Sequence, residues 1–316
     1  MSAAVDPSSD ADADVDVDVA VVGGGAAGLA AAVALGRSLR SVVVVDAGEP
    51  RNAPAAHAFD VLGREGIGPL DLLAAGREEA RGYGVRFLAD RVVTADREVA
   101  GFRLGLLGGS GVRARRLLLA TGLVDELPEV PGLRRWWGTG VLHCPFCHGY
   151  EVRGQHVGVL GSRPGSLHQV LLFRALTDRV TFFRQDLDVP PETAAQFRAL
   201  GVEVVEGAVR GLTGEPGALR VDVGGAGVEV EALVVAPWFR ARGEVFAQLG
   251  GELATNAVGE FVPVQPGGAT SLPGVWAAGN VADPGAMVAA ATGAGVLAGV
   301  ALHGDLVQED VGALVA

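Results

Sequence analysis

The chain has only two cysteines, and two residues separate them, in the run His143-Cys144-Pro145-Phe146-Cys147-His148. A Cys-x-x-Cys pair can close a reversible redox bridge over a very short loop. As a purely structural crosslink it would achieve little, because so short a loop removes little entropy from the unfolded chain. A four-cysteine zinc site is excluded by count, and no metal is expected. The competing reading is two small buried hydrophobes. The flanking histidines favour redox chemistry: an imidazolium beside a thiol favours the thiolate, and a neutral imidazole can take the thiol proton. Cys144 and Cys147 are the expected redox pair, with His148 the first choice of base and His143 the second.

A second constellation lies near the start of the chain. Gly23-Gly24-Gly25-Ala26-Ala27-Gly28 follows an apolar run, Val15 to Val22, and opens an alanine-rich stretch through Leu35. The next apolar run, Ser41 to Val45, ends at Asp46. Strand, glycine turn, helix and a terminal acid make up a dinucleotide-binding fingerprint. Gly23 permits the tight turn, Gly25 lets the backbone approach a pyrophosphate, and Gly28 lets helix pack on strand. Asp46 is expected on ribose hydroxyls.

The remaining runs supply the frame. Leu117 to Ala120 is a short apolar strand closed by Thr121-Gly122. A second α/β unit starts at Gln155, with strands at His156–Leu160, Arg179–Phe183 and Val202–Val205. Helices are expected at Ser166–Leu176 and Pro191–Leu200, and one strand over Val228–Ala236 closes the unit. Gly274 to Asn280 is a strand and turn, and Met287 to Leu302 a helix of small residues. The fold class is α/β, with two Rossmann-like, three-layer domains.

Composition narrows the function. Gly 48 in 316 residues is about twice the ordinary ~7%, as nucleotide-binding α/β folds require. The net charge of -12 argues against nucleic acid and against an anionic membrane surface. No apolar stretch reaches the ~20 residues of a spanning helix. Residues 1–14 read as a disordered acidic tail, and Met1 to Asp18 lacks a secretory pattern. The expected location is the cytoplasm, a reducing compartment where Cys-x-x-Cys is catalytic more often than structural.

Taken in order, Val19 to Asp46, Ala120-Thr121-Gly122, Cys144-Pro-Phe-Cys147 and Gly274-Val-Trp-Ala-Ala-Gly-Asn280 resemble the low-molecular-weight thioredoxin reductase family of flavoproteins. That resemblance implies FAD in a discontinuous domain, residues 15–125 and 244–316, and an inserted NADPH-type domain, 126–243, carrying the dithiol. It also implies a homodimer. Gly23, Gly25, Ala26, Ala27, Gly28, Asp46 and Ala47 would hold the adenosine diphosphate half of FAD, with Arg51 and Asn52 nearby. Ala120, Thr121, Gly122, Gly279, Asn280, Met287 and Val288 would line the rest of the cofactor. The family usually has Asp where this chain has Asn280.

Two further departures matter. The second glycine motif is degenerate, reading Gly161-Ser162-Arg163-Pro164-Gly165-Ser166, and the basic cluster for a 2′-phosphate is reduced to Arg184 beside Asp186. The residue after the second cysteine is His148, where reductases carry Asp. Cys-x-x-Cys-His-Gly resembles instead the FAD-dependent dithiol oxidases of natural-product pathways, of the gliotoxin and holomycin type. These close a disulfide in a small molecule and pass the electrons to oxygen. The resemblance implies a small-molecule dithiol substrate, molecular oxygen as acceptor, Cys144 toward substrate and Cys147 toward the flavin. A reductase fed by NADPH or a protein donor is the alternative. The c-type haem signal Cys-x-x-Cys-His is set aside because the nucleotide fingerprint is complete. Loops Arg51–Pro69 and Trp136–Leu142 are the expected seat of specificity.

Overall fold

The computed structural model describes residues 15–315, so the acidic tail lies outside the described residues. The chain divides into two compact units, residues 1–51, 70–124 and 241–316, and residues 52–69 and 125–240. The segment 52–69 thus groups with the second unit.

The first unit opens with β1 (Val15–Val22), α1 (Ala26–Arg37) and β2 (Val42–Val45). They are followed by α2 (Pro69–Arg81), β3 (Arg86–Leu88), β4 (Val92–Glu98), β5 (Gly101–Leu106) and β6 (Gly111–Leu119). Val19–Val22, after the alternating start of β1, and Val42–Val45 are continuous apolar runs because both their faces are covered, as parallel strands require. With β19 (Val275–Ala277), which pairs with β6, these strands form one seven-stranded sheet, the other six running in the order β3-β2-β1-β6-β5-β4. The run expected as a short strand at Leu117–Ala120 is the end of the longer β6. The first half of β6 turns back antiparallel on β5, and its full length runs parallel to β1.

At the unit boundary β7 (Leu123–Glu126) leads out of the first unit. The second unit contains β8 (Val141–Leu142), α3 (Pro145–His148), β9 (Val157–Leu160), α4 (Gly165–Arg174), β10 (Val180–Gln185), α5 (Pro191–Ala199) and β11 (Glu203–Glu206). A meander of β12 (Val209–Glu215), β13 (Ala218–Val223) and β14 (Ala226–Val230) follows, then β15 (Ala232–Val234). The parallel sheet runs β11-β10-β9-β15-β8, and the meander is a separate sheet. One face of the parallel sheet packs on α4 and α5 through Val170, Phe173 and Phe197. The other packs on the meander, with Trp136 and Trp137 half-buried against that cluster. Both tryptophans thus serve packing.

The single strand expected over Val228–Ala236 is corrected to two strands in different sheets. Glu231 is the break. Its N–H donates to the His156 carbonyl at 2.7 Å, and its carboxylate accepts the His156 N–H at 2.7 Å. That double grip turns the chain from the meander into the parallel sheet.

The chain returns through β16 (Trp238–Ala241), which pairs with β7, into α6 (Glu244–Gln248), β17 (Ala254–Thr255), β18 (Glu260–Phe261), β19 (Val275–Ala277) and α7 (Val288–Val315). β19 runs parallel to the end of β6. α1 and α7 cover one face of the large sheet, while α6 packs on the other in a cluster that residues of β4 and β5 join. α7 continues thirteen residues past the expected end at Leu302 to Val315. Ion pairs explain the extension: Asp310 meets Arg40 at 2.7 Å, Asp305 meets Arg116 at 2.6 Å, and Glu309 meets Arg115 at 2.7 Å. By length and composition α7 could cross a bilayer, contrary to the expectation that no apolar run is so long. Its Ala291, Gly295, Ala298, Leu302 and Leu306 face is buried in the first unit.

Candidate active site

The glycine-rich loop of the first unit is built by close backbone approach. Gly23 has φ +105°, and a Cβ there would sit 2.4 Å from the Ala120 carbonyl oxygen. At Gly28 it would sit 2.0 Å from the Gly23 oxygen. Gly279, φ +76°, would collide with Ala27 at 2.8 Å. These glycines, with Ala27 and Ala120, therefore lock β1, α1, β6 and the turn after β19 into one corner; Ala26 is the first residue of α1. Gly25 differs: a Cβ there meets nothing within 4 Å. It is the N-cap of α1, and no side chain caps that helix end. The first N–H groups of α1 thus face open space, a cradle suited to a pyrophosphate.

Asp46 lies beside this loop, since a Cβ on Gly24 would stand 2.8 Å from its carboxyl. Its carboxylate also forms an ion pair with Arg77 from α2, a partner that sequence reasoning missed. Thr121 donates its hydroxyl to the Arg242 carbonyl at 2.6 Å, and the Arg242 N–H donates to Gly122 at 3.0 Å. That pairing ties the Ala120-Thr121-Gly122 turn to the return of the chain. Ala47 is exposed, while Arg51 and Asn52 are half-buried and fall on opposite sides of the unit boundary. Met287 and Val288 begin α7, where the Met287 carbonyl accepts the Ala291 N–H at 2.8 Å.

Asn280 has a role the sequence did not suggest. Its amide nitrogen reaches the carbonyls of Asp283, Pro284 and Ala286 at 3.1, 3.4 and 2.8 Å. A carboxylate could donate to none of them. Asn280 folds the 283–286 loop that leads into α7.

In the second unit, Cys144 and Cys147 form a disulfide across a Cα–Cα distance of 5.3 Å. Cys144 caps the one-turn α3, its sulfur accepting the Cys147 N–H at 3.2 Å. His148 closes that turn. Its Nε2 is buried without a hydrogen-bond partner among the described residues. Burial holds the imidazole below the usual histidine pKa, with the Glu151 carboxylate opposing more weakly. His143 is packed edge-on to Phe239 at 5.2 Å. Its Nδ1 lies 3.1 Å from the Val235 carbonyl and 3.0 Å from the amide nitrogen of Gln169. Gln169 was not anticipated. A polar residue on the buried face of α4, beside Val170 and Phe173, was the available signal.

The second glycine loop is closed. Gly161 keeps a close approach, since a Cβ would stand 2.6 Å from the Arg184 carbonyl. The N–H groups of Ser162 and Arg163, however, already donate to the Ser166 hydroxyl at 3.3 and 3.4 Å, and Ser166 is fully buried. The Arg163 guanidinium stacks on Trp238 at 5.0 Å. One guanidinium nitrogen of Arg184 donates to both carboxylate oxygens of Glu206 at 3.0 and 2.9 Å.

Two three-layer α/β units, one with an open glycine cradle and one with a Cys-x-x-Cys turn, define a nucleotide-linked thiol–disulfide oxidoreductase. The chain belongs to the pyridine nucleotide-disulphide oxidoreductase family, whose model matches residues 17–295. Within it the relatives are thioredoxin reductase-like and FAD-dependent. The chain is 32% identical over 84% of its length to thioredoxin reductase tcpT of Claviceps purpurea, covering 86% of that protein. It is 30% identical to thioredoxin reductase sirT of Leptosphaeria maculans, covering 92% of this chain and 94% of that one. The crystal structure of HlmI superposes with a TM-score of 0.90 at 42% identity, covering 95% of both chains. The open cradle at Gly25 and the uncapped α1 fit FAD.

Proposed function

We propose that the protein oxidises a small-molecule dithiol to its intramolecular disulfide through Cys144 and Cys147, with molecular oxygen as final acceptor and hydrogen peroxide as by-product. The observation that carries this reading is the closed second loop. Ser166 occupies the N–H groups a pyrophosphate would need, and Arg163 and Arg184 are committed to Trp238 and Glu206. A loop engaged in this way favours electrons that enter from a thiol over electrons that enter from a nicotinamide.

A substrate thiolate attacks the Cys144 sulfur, the Cys144–Cys147 bond breaks, and Cys147 leaves as thiolate. The second substrate thiolate attacks the substrate sulfur of this mixed disulfide. The product disulfide forms, and Cys144 leaves as a thiolate that the Cys147 N–H can stabilise. FAD, when bound, takes the two electrons of the enzyme dithiol and delivers them to oxygen. Each substrate thiol must lose a proton. His148, held neutral by burial, and His143 are the bases proposed for that step. The proposal places the adenosine half of FAD on Gly23, Gly25, Gly28 and Asp46.

A homodimer is part of the proposal. The outer face of α7 presents Val296, Leu297 and Val300 at 42, 61 and 61% exposure, an apolar stripe suited to a second copy of the chain. A cytoplasmic location suits a cysteine pair that must cycle.

The test is anaerobic mixing of the FAD-loaded protein with NADPH and, separately, with dithiothreitol. The expected result is bleaching of the oxidised-flavin band by the dithiol alone, with colour restored by air and peroxide formed. Rapid bleaching by NADPH would sink the oxidase reading in favour of a reductase.

A further inference from the structure

Asp46 stands at the end of β2, and its carboxylate is held from two sides. The backbone is fixed by the sheet, since the Asp46 N–H donates to the Leu88 carbonyl at 3.0 Å. The side chain lies over the glycine loop: a Cβ on Gly24 would stand 2.8 Å from both Cγ and Oδ2 of Asp46. The same Oδ2 accepts from the Arg77 guanidinium. It is thus caught between the loop and α2, while Oδ1 has no hydrogen-bond partner among the described residues. An ionised carboxylate offers about four lone-pair sites, so one guanidinium leaves acceptor capacity unused on a side chain that is 19% exposed.

Arg77 is itself placed by packing. Leu73 and Ala80 of α2 are buried. A Cβ on Gly76 would stand 3.1 Å from Leu29 Cδ1, so α2 comes close to α1 one residue before Arg77. An isolated, partly exposed ion pair contributes little to stability, and this one joins residues 31 positions apart. Its larger effect is to fix the two side-chain torsions of Asp46, which would otherwise lose their freedom only on binding a ligand.

We propose that Arg77 is a positioning residue for FAD. By holding Oδ2 against the Gly24 backbone it leaves Oδ1 set to accept from a hydroxyl of the adenosine ribose, and it makes the site selective for a ribose that carries those hydroxyls. The hydroxyl donates to the carboxylate, a charge-assisted hydrogen bond, and no covalent bond changes. The inference rests on the placement of the adenosine half of FAD proposed above, deepening it by naming what orients its acid.

The experiment uses the full chain stripped of flavin. It is titrated with FAD and with an FAD analogue whose adenosine ribose is 2′,3′-dideoxy, and flavin fluorescence gives each Kd. The readout is the ratio of the two. The parent should bind FAD roughly 10- to 150-fold more tightly than the analogue, the worth of a hydrogen bond to a charged group. Arg77→Met should cut that ratio about tenfold, and Arg77→Lys, which returns the charge without the fork, should recover part of it. A purely structural role would weaken both ligands alike, so an unchanged ratio in Arg77→Met overturns the proposal. A larger ratio in that variant overturns it as well, because Arg77 would then be competing with the ribose for Asp46. Asp46→Ala should remove most of the ratio; an unchanged ratio there would overturn the adenosine placement and the Arg77 inference together. None of these titrations involves a thiol, NADPH or oxygen, so a failure of the oxidase reading would show separately, in the bleaching experiment.

Discussion

Gly25→Ala and Gly28→Ala make a pair of substitutions whose effects should be opposite. At Gly25 φ is -78°, a value alanine adopts freely, and the new methyl meets nothing within 4 Å. Stability without FAD should change by no more than about 1 kcal/mol, the scale of a weakened N-cap. The methyl nevertheless stands in the space that the first N–H groups of α1 face. Pushing a pyrophosphate out of van der Waals overlap there costs about 1–3 kcal/mol, the scale of overpacking, or roughly 5- to 150-fold in FAD Kd. At Gly28 the methyl would stand 2.0 Å from the Gly23 oxygen. That neighbour is backbone in the turn between β1 and α1, so it yields only by parting helix from strand. The expected loss is about 1–3 kcal/mol of apo-protein stability, several degrees in Tm. Thermal melts of stripped protein read the first quantity, and FAD titration by flavin fluorescence reads the second. Parent-like FAD affinity in Gly25→Ala would refute the placement of the phosphates over α1, and a parent-like apo melt in Gly28→Ala would refute the packing role of Gly28.

His148 and Asn280 supply two more predictions. Burial lowers the His148 pKa below its usual 6.5, so between the folded value and 6.5 the unfolded chain binds more protons than the native one. The associated stability is fully present above about pH 6.5 and declines as pH falls toward the folded value; melts from pH 5 to 8 should show that slope flattened in His148→Gln, and an identical slope would show the group is not responsible. Asn280→Asp restores the acid usual in the family but turns a carboxylate on three carbonyls. A loss of about 1–3 kcal/mol is expected by thermal melt, with faster proteolysis within 283–287, and an unchanged melt would refute the loop-folding role.

The elements legible in the sequence were those with a strong apolar period or a glycine constraint. Val15–Val22 reads correctly because every residue from Val19 on is buried. The Gly23 to Gly28 turn reads because only glycine fits it. The β4–β5 hairpin and the β12–β14 meander were not foreseen: their strands alternate weakly and carry charge, as in Val92–Glu98, because one face meets solvent. The last turns of α7 were hidden for a different reason. Asp305, Glu309 and Asp310 break the apolar pattern locally, and only the fold brings Arg40, Arg115 and Arg116 to them. In the site, local motifs were visible and long-range partners were not. Arg77 on Asp46 and Gln169 on His143 are contacts between residues far apart in the chain, which no spacing rule encodes.

The two glycine loops also show how a nucleotide site can close without losing its fold. Both follow a buried parallel strand and open a helix. At α1 the residue closing the motif is Gly28, whose missing side chain leaves the loop N–H groups for a ligand. At α4 it is Ser166, and one hydroxyl oxygen takes the N–H groups of both Ser162 and Arg163. The degeneracy seen in the sequence, Arg163 for glycine and Pro164 for an N–H donor, is therefore not the whole cause. Replacing Arg163 alone would clear the approach and leave the donors occupied, so the Ser166 hydroxyl has to go before the loop could hold a phosphate. Gly161 remains because its Cβ would strike the Arg184 carbonyl, a demand of strand packing that is independent of any nucleotide. Gly161 is therefore required by packing whether or not a nucleotide binds, and by itself it is no sign of a nucleotide site.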